Sequence, residues 1–161
     1  MTKKENLVVL LKSNHDAVRM LIDDIDDDES IIRGKDNRNH IRWLTGHLVD
    51  NAGNILKVLG VENAVSEEWR KLFGRGSEIS DDSNTYPSIS ELRDDLYSLY
   101  KQIYETLNKI TNSELDKNIT PFPGWQTTPM DATLFLCTHE FYHAGQITAM
   151  LRIIGRNRPF G

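Results

Sequence analysis

The segment His139-Glu140-Phe141-Tyr142-His143 holds the residue types that point most directly to chemistry. Four residues make a little over one helical turn, so in a helix both imidazoles project from one face, about 6 Å apart. At that spacing two neutral ring nitrogens can reach one ion, and imidazole is a ligand suited to zinc, nickel, copper or iron. The alternative is that two ordinary histidines happen to lie four residues apart.

The apolar pattern around these histidines favours the metal-site interpretation. They interrupt a stripe along one side of the segment, made of Leu136, His139, His143, Ile147, Met150 and Ile154. A buried imidazole without a partner is costly, so something should satisfy it. Upstream, His47 interrupts a second stripe between Leu44 and Leu48. His47 lies about 12 Å from the start of its helix and His143 about 16 Å from the end of its own, so antiparallel neighbours would bring all three histidines to one level.

A zinc peptidase also uses the H-E-x-x-H pattern, with the Glu as general base and a third ligand after the motif. The 18 residues that follow His143 contain no His, Asp or Glu. The extended peptidase pattern also fails, because no later His follows Gly145. A peptidase is therefore a weaker hypothesis, and any third protein ligand must come from earlier in the chain.

Two other histidines and the single cysteine are of types that can take part in chemistry, but we expect none of them to be catalytic. His15 lies on the apolar stripe of the first helix, where it could approach the site as a fourth ligand or a supporting residue, but a hydrogen-bonded core histidine is the favoured interpretation. His40 is expected to be exposed and without a role. Cys137 has no second cysteine to pair with, and we expect it to be a small buried residue rather than a reactive thiol.

Four amphipathic segments can position these side chains, because their apolar residues recur at helical spacing. The predicted helices cover residues 3–25, 39–59, 89–110 and 129–154. Ser88 and Glu91 form a capping-box pattern at the start of the third helix. Thr128 and Pro129 suit the start of the fourth, and Gly155 suits its end.

No period-two strand competes with these helices, so the predicted fold class is all-α, a four-helix bundle. The link over residues 60–88 is long enough to run the length of such a helix, so it could be a crossover that leaves helices 2 and 3 parallel. It also holds a short predicted helix around Glu67–Phe73. A second loop, residues 111–128, carries Phe122 and Trp125, whose rings should pack over one end of the bundle.

The acidic run over residues 23–29 does not fit a calcium loop. A loop that begins at Asp24 needs a Gly at its sixth position and a Glu at its twelfth, where this chain has Glu29 and Lys35. Acidic charge is also unfavourable at a helix C-terminus. We expect a fraying helix end followed by a solvated loop.

Length and charge narrow the class of protein. The 161 residues fit a single domain, residues 1–161. A net charge of −5, from 19 basic and 24 acidic residues, disfavours a nucleic-acid partner. No apolar run approaches the roughly 18–20 residues of a membrane span, and the first apolar run is too short for a signal-peptide core. We therefore expect a cytoplasmic protein with no membrane partner.

Several of these segments resemble the DinB superfamily, whose members are metal-binding four-helix bundles. The resemblance is carried by Trp43-Leu44-Thr45-Gly46-His47-Leu48, by His139 to Ile147, by Leu151-Arg152-Ile153-Ile154-Gly155 and by Phe73-Gly74-Arg75-Gly76. It implies an up-down-down-up bundle, often a homodimer, with a three-histidine site for zinc, nickel or a similar ion. The family's ligand positions correspond to His47, His139 and His143.

The resemblance also implies a small-molecule substrate. Some superfamily members use low-molecular-weight thiols, among them mycothiol- or bacillithiol-dependent transferases and a maleylpyruvate isomerase, whereas many have no assigned reaction. Three histidines leave a coordination position open, and a thiol bound there would lose its proton and could attack an electrophilic carbon. Hydrolysis by an activated water is the alternative reaction. A metal-binding or sensory protein without turnover, or a dimerisation module, is the non-enzymatic alternative.

Three further residues are candidates for roles beside the ion. Glu140 could handle a proton or support a ligand, and it could equally face a neighbouring helix as a structural carboxylate. Gln146 and Arg152 could orient ligands or anchor an acidic thiol cofactor, but either could be structural.

Overall fold

The computed structural model describes residues 1–34 and 38–157, in which four long helices pack around one hydrophobic cluster. In chain order the elements are α1 Lys3–Ile22, α2 Asp27–Ser30, α3 Ile41–Val58, α4 Glu67–Phe73, a 3-10 turn Ser83–Thr85, α5 Ile89–Lys109, α6 Asn112–Leu115, β1 Ile119–Phe122, β2 Trp125–Thr127 and α7 Pro129–Ile153. The long helices α1, α3, α5 and α7 confirm the four predicted ones, with ends that differ by less than a turn. The short predicted helix is α4.

Side-chain caps fix where the long helices begin. The Ser88 hydroxyl accepts a hydrogen bond from the Glu91 amide at 3.2 Å, and the Glu91 carboxylate accepts one from the Ser88 amide at 2.8 Å. This reciprocal pair is the predicted capping box, and it satisfies two amides that have no partner inside the helix. Thr128 caps α7 in a similar way, and Gly155, with φ of +79°, follows its last turn.

The core lies where the long helices meet. Helix α3 contacts α5 and α7, and α1 contacts the same two helices. Tyr100 and Phe73 are the largest fully buried side chains, and leucine and isoleucine supply most of the rest. Among the described residues, no helix combines the length and apolar character that crossing a bilayer requires.

The acidic run is largely exposed, as the sequence predicts, but it is more ordered than the predicted loop. Asp26 caps α2, which begins within the run. The Asp27 carboxylate accepts a hydrogen bond from Arg42 Nη2 at 2.6 Å and another from the Ile89 amide at 2.8 Å. Arg42 is almost fully buried, and a buried guanidinium needs a nearby anion and hydrogen-bond acceptors. The run therefore orders the link between α1 and α3.

The all-α expectation is wrong in one place, because β1 and β2 pair as a short antiparallel hairpin. Pro123 and Gly124 form its turn, and Gly124 has φ of +76°, a conformation that glycine adopts without strain. The Phe122 and Trp125 rings stack with centroids 5.8 Å apart. Such short strands are hard to recognise from alternation alone. Both rings pack against the core cluster, as predicted for this loop.

Replacing Ser88 by Ala tests the capping box. We expect the free energy of unfolding to fall by about 1 kcal/mol, because the Glu91 amide loses its acceptor. Urea unfolding followed by circular dichroism measures the change. Ser98→Ala, at an exposed position within α5, is the matched control and should change stability far less. Equal losses in both variants would mean that the cap does not contribute.

Candidate metal centre

Three histidine side chains meet between α3 and α7. His47 comes from α3, and His139 and His143 come from α7. One candidate ligand atom from each lies within 4.8 Å of the other two. The His47 ring centroid is 5.3 Å from that of His139 and 4.5 Å from that of His143. The predicted convergence of these imidazoles is therefore confirmed, and the group could hold a metal ion.

A backbone carbonyl orients His47. Its Nδ1 lies 2.6 Å from the Phe73 carbonyl oxygen, which can only accept a hydrogen bond. Nδ1 must then carry a proton, so in the neutral ring Nε2 is the nitrogen with a lone pair for a metal ion. The Trp43 ring stacks on the imidazole with centroids 4.9 Å apart and planes 9° apart, which restricts rotation of the ring.

Side-chain amides orient the other two imidazoles. His139 Nδ1 lies 3.0 Å from Asn51 Oδ1, and the Asn51 amide nitrogen donates to the Leu136 carbonyl at 3.2 Å. His143 Nδ1 lies 2.7 Å from Gln146 Oε1. Each amide oxygen favours a proton on Nδ1, which leaves Nε2 of both rings available as a ligand atom.

The resulting arrangement fits a cation. The Nε2 atoms of His139 and His143 are 3.0 Å apart, and if both lack a proton their lone pairs repel each other until a cation lies between them. Burial, together with the nearby His47, lowers the pKa of His143 to about 4. Burial is also the main reason why the pKa of His139 is lowered. Neutral imidazoles at physiological pH are the form that binds zinc or nickel.

Close packing of α4 against α3 places the Phe73 carbonyl. A Cβ atom on Gly46 would lie 2.2 Å from the Phe73 ring, so only glycine permits this approach. The Trp69 indole donates to the Gly46 carbonyl at 3.1 Å, and the Trp43 indole donates to the Leu72 carbonyl at 3.2 Å. These contacts hold α4 where its last residue can reach His47.

A cavity of about 620 Å³ adjoins the three histidines. Its apolar walls come from Trp43, Phe122, Phe135, Leu136 and Tyr142, and its polar lining includes Asp50, Asn51, Asn54 and Arg75. Phe122 belongs to the hairpin and Arg75 follows α4, so two connecting segments complete a site whose candidate ligands lie on long helices. The volume is in the range of small-molecule sites.

Glu140 is separated from this cavity. Its carboxyl group is fully buried in the core, where Tyr100 donates a hydrogen bond to Oε1 at 2.5 Å. Its Oε2 lies 3.6 Å from His15 Nε2. Burial raises the pKa of Glu140 to about 7. From the sequence, Glu140 could either handle a proton beside the ion or face a neighbouring helix as a structural carboxylate. The structure places its side chain against Tyr100 of α5, which agrees with the second alternative.

The other residues singled out in the sequence lie at different distances from the three histidines. Gln146 contacts His143 directly, whereas Arg152 is exposed on α7 and does not line the cavity. His15 is a core histidine, as favoured, since Tyr104 bonds to its Nδ1 at 2.6 Å and burial lowers its pKa to about 3. Cys137 is buried, as expected, and burial raises the pKa of its thiol to about 12.

The expectation that His40 is exposed is wrong. The side chain is fully buried and caps α3, because its Nδ1 accepts a hydrogen bond from the Trp43 amide at 3.0 Å. Its Nε2 donates to the Ser80 carbonyl at 3.1 Å. Histidine is an uncommon cap, so the sequence offered little sign of this role.

Sequence reasoning also missed three residues that shape the site. Asn51 lies four residues after His47 on the same helix face, which is a signal that could have been used. Arg75 lies in a segment that the sequence singled out without assigning it a role. The Phe73 acceptor is a backbone atom, so no side-chain pattern could have indicated it.

A helical protein with three converging imidazoles beside a cavity defines a class of candidate metalloproteins, and comparison with known proteins identifies the family. The family model of the DinB superfamily matches residues 10–147, so this chain belongs to the DinB superfamily. The crystal structure of a DinB-like protein from Bacillus cereus ATCC 10987 has the same fold, with a TM-score of 0.76, 17% identity, and coverage of 98% of this chain and 96% of that one. No curated protein matches this chain.

Replacing Gly46 by Ala tests whether α4 positions His47. The new methyl group should push Phe73 away and weaken the hydrogen bond from His47 Nδ1 to its carbonyl. Loss of such a supporting contact typically lowers metal affinity about 10- to 100-fold, which zinc competition with a chromophoric chelator can measure.

Gly145→Ala is the matched control for that variant. It adds the same methyl group to α7 two residues after His143, but the new Cβ atom has no neighbour within 4 Å. Zinc affinity should then be unchanged, and stability should rise slightly because alanine favours helix. If both variants bind zinc as the wild type does, packing at Gly46 does not position His47.

Glu140→Gln should preserve both the fold and zinc affinity. The amide oxygen can still accept from Tyr100, and a buried neutral group avoids the desolvation cost of a carboxylate. Tyr100→Phe instead removes the donor and should destabilise the protein by about 1–3 kcal/mol. Thermal unfolding and zinc titration of both variants measure these effects. Loss of zinc binding in Glu140→Gln would contradict a purely structural position.

Proposed function

We propose that this protein binds one divalent metal ion, zinc or nickel, through His47, His139 and His143 and acts as a small-molecule metalloenzyme. The first candidate reaction is transfer of a low-molecular-weight thiol to an electrophile. The observation that carries the proposal is the set of three imidazoles whose Nδ1 atoms are held by oxygen acceptors while their ligand atoms converge beside a cavity.

The donor set favours a reactive ion over a structural one. Among the described residues, the only group of His, Cys, Asp or Glu side chains close enough to share an ion contains these three histidines. Structural zinc sites usually have four protein ligands, whereas catalytic sites use three and leave a position for water or substrate. The adjacent cavity gives a small molecule access to that position.

A divalent ion held by the three histidines would supply Lewis acidity, which would lower the pKa of a bound thiol or water. The protein's own groups do the positioning. The Phe73 carbonyl, Asn51 and Gln146 hold the imidazoles in the tautomer that binds. The apolar cavity walls offer contact surface for the hydrocarbon part of a substrate. In the transfer, sulfur bonds to the electrophilic carbon, the bond from that carbon to its leaving group breaks, and the thiol proton passes to solvent.

We also propose the up-down-down-up arrangement for the long helices. Contacts at both ends of α1 and α5 support antiparallel packing of this pair. Arg93, near the start of α5, donates to the Ile22 carbonyl at the end of α1 at 2.8 Å. At the other end, Lys3 pairs with Asp116, beyond the end of α5, at 3.0 Å.

The remaining contacts support parallel α3 and α5. Asn14 in α1 donates a hydrogen bond to the Cys137 carbonyl in α7 at 2.7 Å. Arg156, after α7, donates one to the Asp24 carbonyl, after α1, at 2.9 Å. These two contacts support parallel α1 and α7. His47 contacts His143, while Asn51, one turn later in α3, contacts His139 earlier in α7, which supports antiparallel packing of these two helices. Residues 59–88 would then form the crossover. Homodimerisation and a cytoplasmic location stay predictions from the sequence.

Zinc titration of His47→Ala tests the metal site. Wild-type protein should bind one equivalent, and the variant should lose at least about a hundredfold in affinity, because one of three ligands is gone. His40→Asn is the matched control, since it also removes a buried histidine, at the N-cap of α3, but keeps a capping side chain. Weak zinc and nickel binding by the wild type would overturn the metal proposal.

Thiol transfer is tested with glutathione or cysteine and 1-chloro-2,4-dinitrobenzene, in which a carbon–sulfur bond replaces the carbon–chlorine bond and chloride leaves. Zinc-loaded wild type should exceed the uncatalysed rate, and His47→Ala should not. Equal turnover by both proteins would mean that this site is not the enzyme's active site. Tight zinc binding with no turnover of either thiol would favour a non-catalytic metal-binding protein.

A further inference from the structure

We infer that Arg75 is an anion-recognition residue of the three-histidine cavity, and that the substrate is a small carboxylic acid with an apolar body. This inference rests on the proposed function, since it names the substrate class of the same site. Three observations carry it: the backbone that presents Arg75, the charges around it, and the apolar walls opposite.

A tight turn places Arg75 at a corner of the chain. The Ser77 amide donates to the Gly74 carbonyl at 3.1 Å, which closes a four-residue turn with Arg75 in its second position. Gly76, in the third position, has φ of +85°, which a side chain would strain. A Cβ atom on Gly74 would lie 2.3 Å from the Arg70 carbonyl oxygen. Glycine is thus required on both sides of the arginine.

The turn is tied directly to the metal site. The Trp43 indole donates to the Ser77 hydroxyl at 3.2 Å, and the same indole ring stacks on His47. Arg75 lines the cavity together with His139. The guanidinium is therefore close enough to act on whatever occupies the cavity.

The charges around Arg75 favour the binding of an anionic ligand. Within residues 1–34 and 38–157, no carboxylate forms an ion pair with it. The acid in the cavity, Asp50, is already offset, because Arg70 Nε lies 3.6 Å from its Oδ1 and Asn54 donates to its Oδ2 at 3.3 Å. The exposed guanidinium of Arg75 lies beside the three imidazoles, and a divalent cation bound there would add positive charge, so the cavity would attract an anionic ligand.

The shape of the binding groups indicates which anion. A guanidinium offers two parallel N–H groups that match the two oxygens of a carboxylate. The remaining walls, which include Phe122, Phe135 and Tyr142, offer aromatic and hydrocarbon surface. A ligand that satisfies both has a carboxylate at one end and an apolar portion beside it.

Binding of 4-phenylbutanoate and of its neutral analogue 4-phenylbutanamide tests the inference. Calorimetric titrations would use wild type, Arg75→Gln and Arg75→Lys, each zinc-loaded and metal-free. Wild type should prefer the acid at least about tenfold, and Arg75→Gln should lose at least about tenfold in acid affinity with little change for the amide. Arg75→Lys should recover part of the preference, since it restores the charge.

Lys71→Gln is the charge-matched control. Lys71 is exposed on α4 and does not line this cavity, so its removal lowers the net charge by the same amount without touching the ligand. Acid binding by this variant should match wild type. An equal loss in Lys71→Gln and Arg75→Gln would show a long-range charge effect and overturn the inference.

The outcomes also separate this inference from the proposed function. If wild type binds zinc but shows no acid preference, or if the preference survives in Arg75→Gln, the inference is wrong and the metal proposal stands. If zinc does not bind but metal-free protein shows an acid preference that depends on Arg75, the metal proposal is wrong and the anion site stands. Failure of both probes to bind either form would overturn the carboxylic-acid assignment.

Discussion

The site depends on three imidazoles whose candidate ligand atoms converge on one point. Their ligand nitrogens repel in the absence of a cation, so the rings must be held from behind by groups that accept hydrogen bonds from the opposite nitrogen. The Phe73 carbonyl does this for His47, while Asn51 and Gln146 do it for the two histidines of α7. A bound ion would relieve the repulsion between these nitrogens. The affinity for metal therefore depends on how rigidly the surrounding residues hold the three rings.

The polar side chains of α7 face two different environments, the hydrophobic core and the cavity. On one side of α7, Glu140, Tyr100 and His15 form a closed cluster inside the protein, with the His15 and Tyr100 rings stacked at 3.4 Å. On another side, His139 and His143 face the cavity. Adjacent residues of one helix point about 100° apart, so the same motif can supply a ligand to the site and a carboxyl group to the interior. Zinc peptidases use the equivalent Glu beside their metal, and its position here argues for different chemistry.

The long helices and the convergence of the three histidines were predictable because both follow from periodicity. Apolar spacing located α1, α3, α5 and α7, and polar interruptions in two apolar stripes located His47, His139 and His143. What sequence could not indicate depends on contacts between distant segments. Buried Arg42 recruits Asp27 and so orders a run that looks solvated, and His40 becomes a cap only because Ser80 accepts from its far nitrogen. The hairpin is too short to show alternation, and its Pro-Gly turn is the only local sign of it.

The hairpin and the Gly74–Ser77 turn have a further consequence. The candidate ligands lie on long helices whose packing forms the core, whereas much of the cavity surface that a small molecule would touch comes from connecting segments. Connections change length and composition far more readily than buried helices do. Proteins that descend from one ancestral scaffold could therefore acquire different substrates through changes in these two segments alone. The metal ligands would stay in place, so new reactions would not require a new fold.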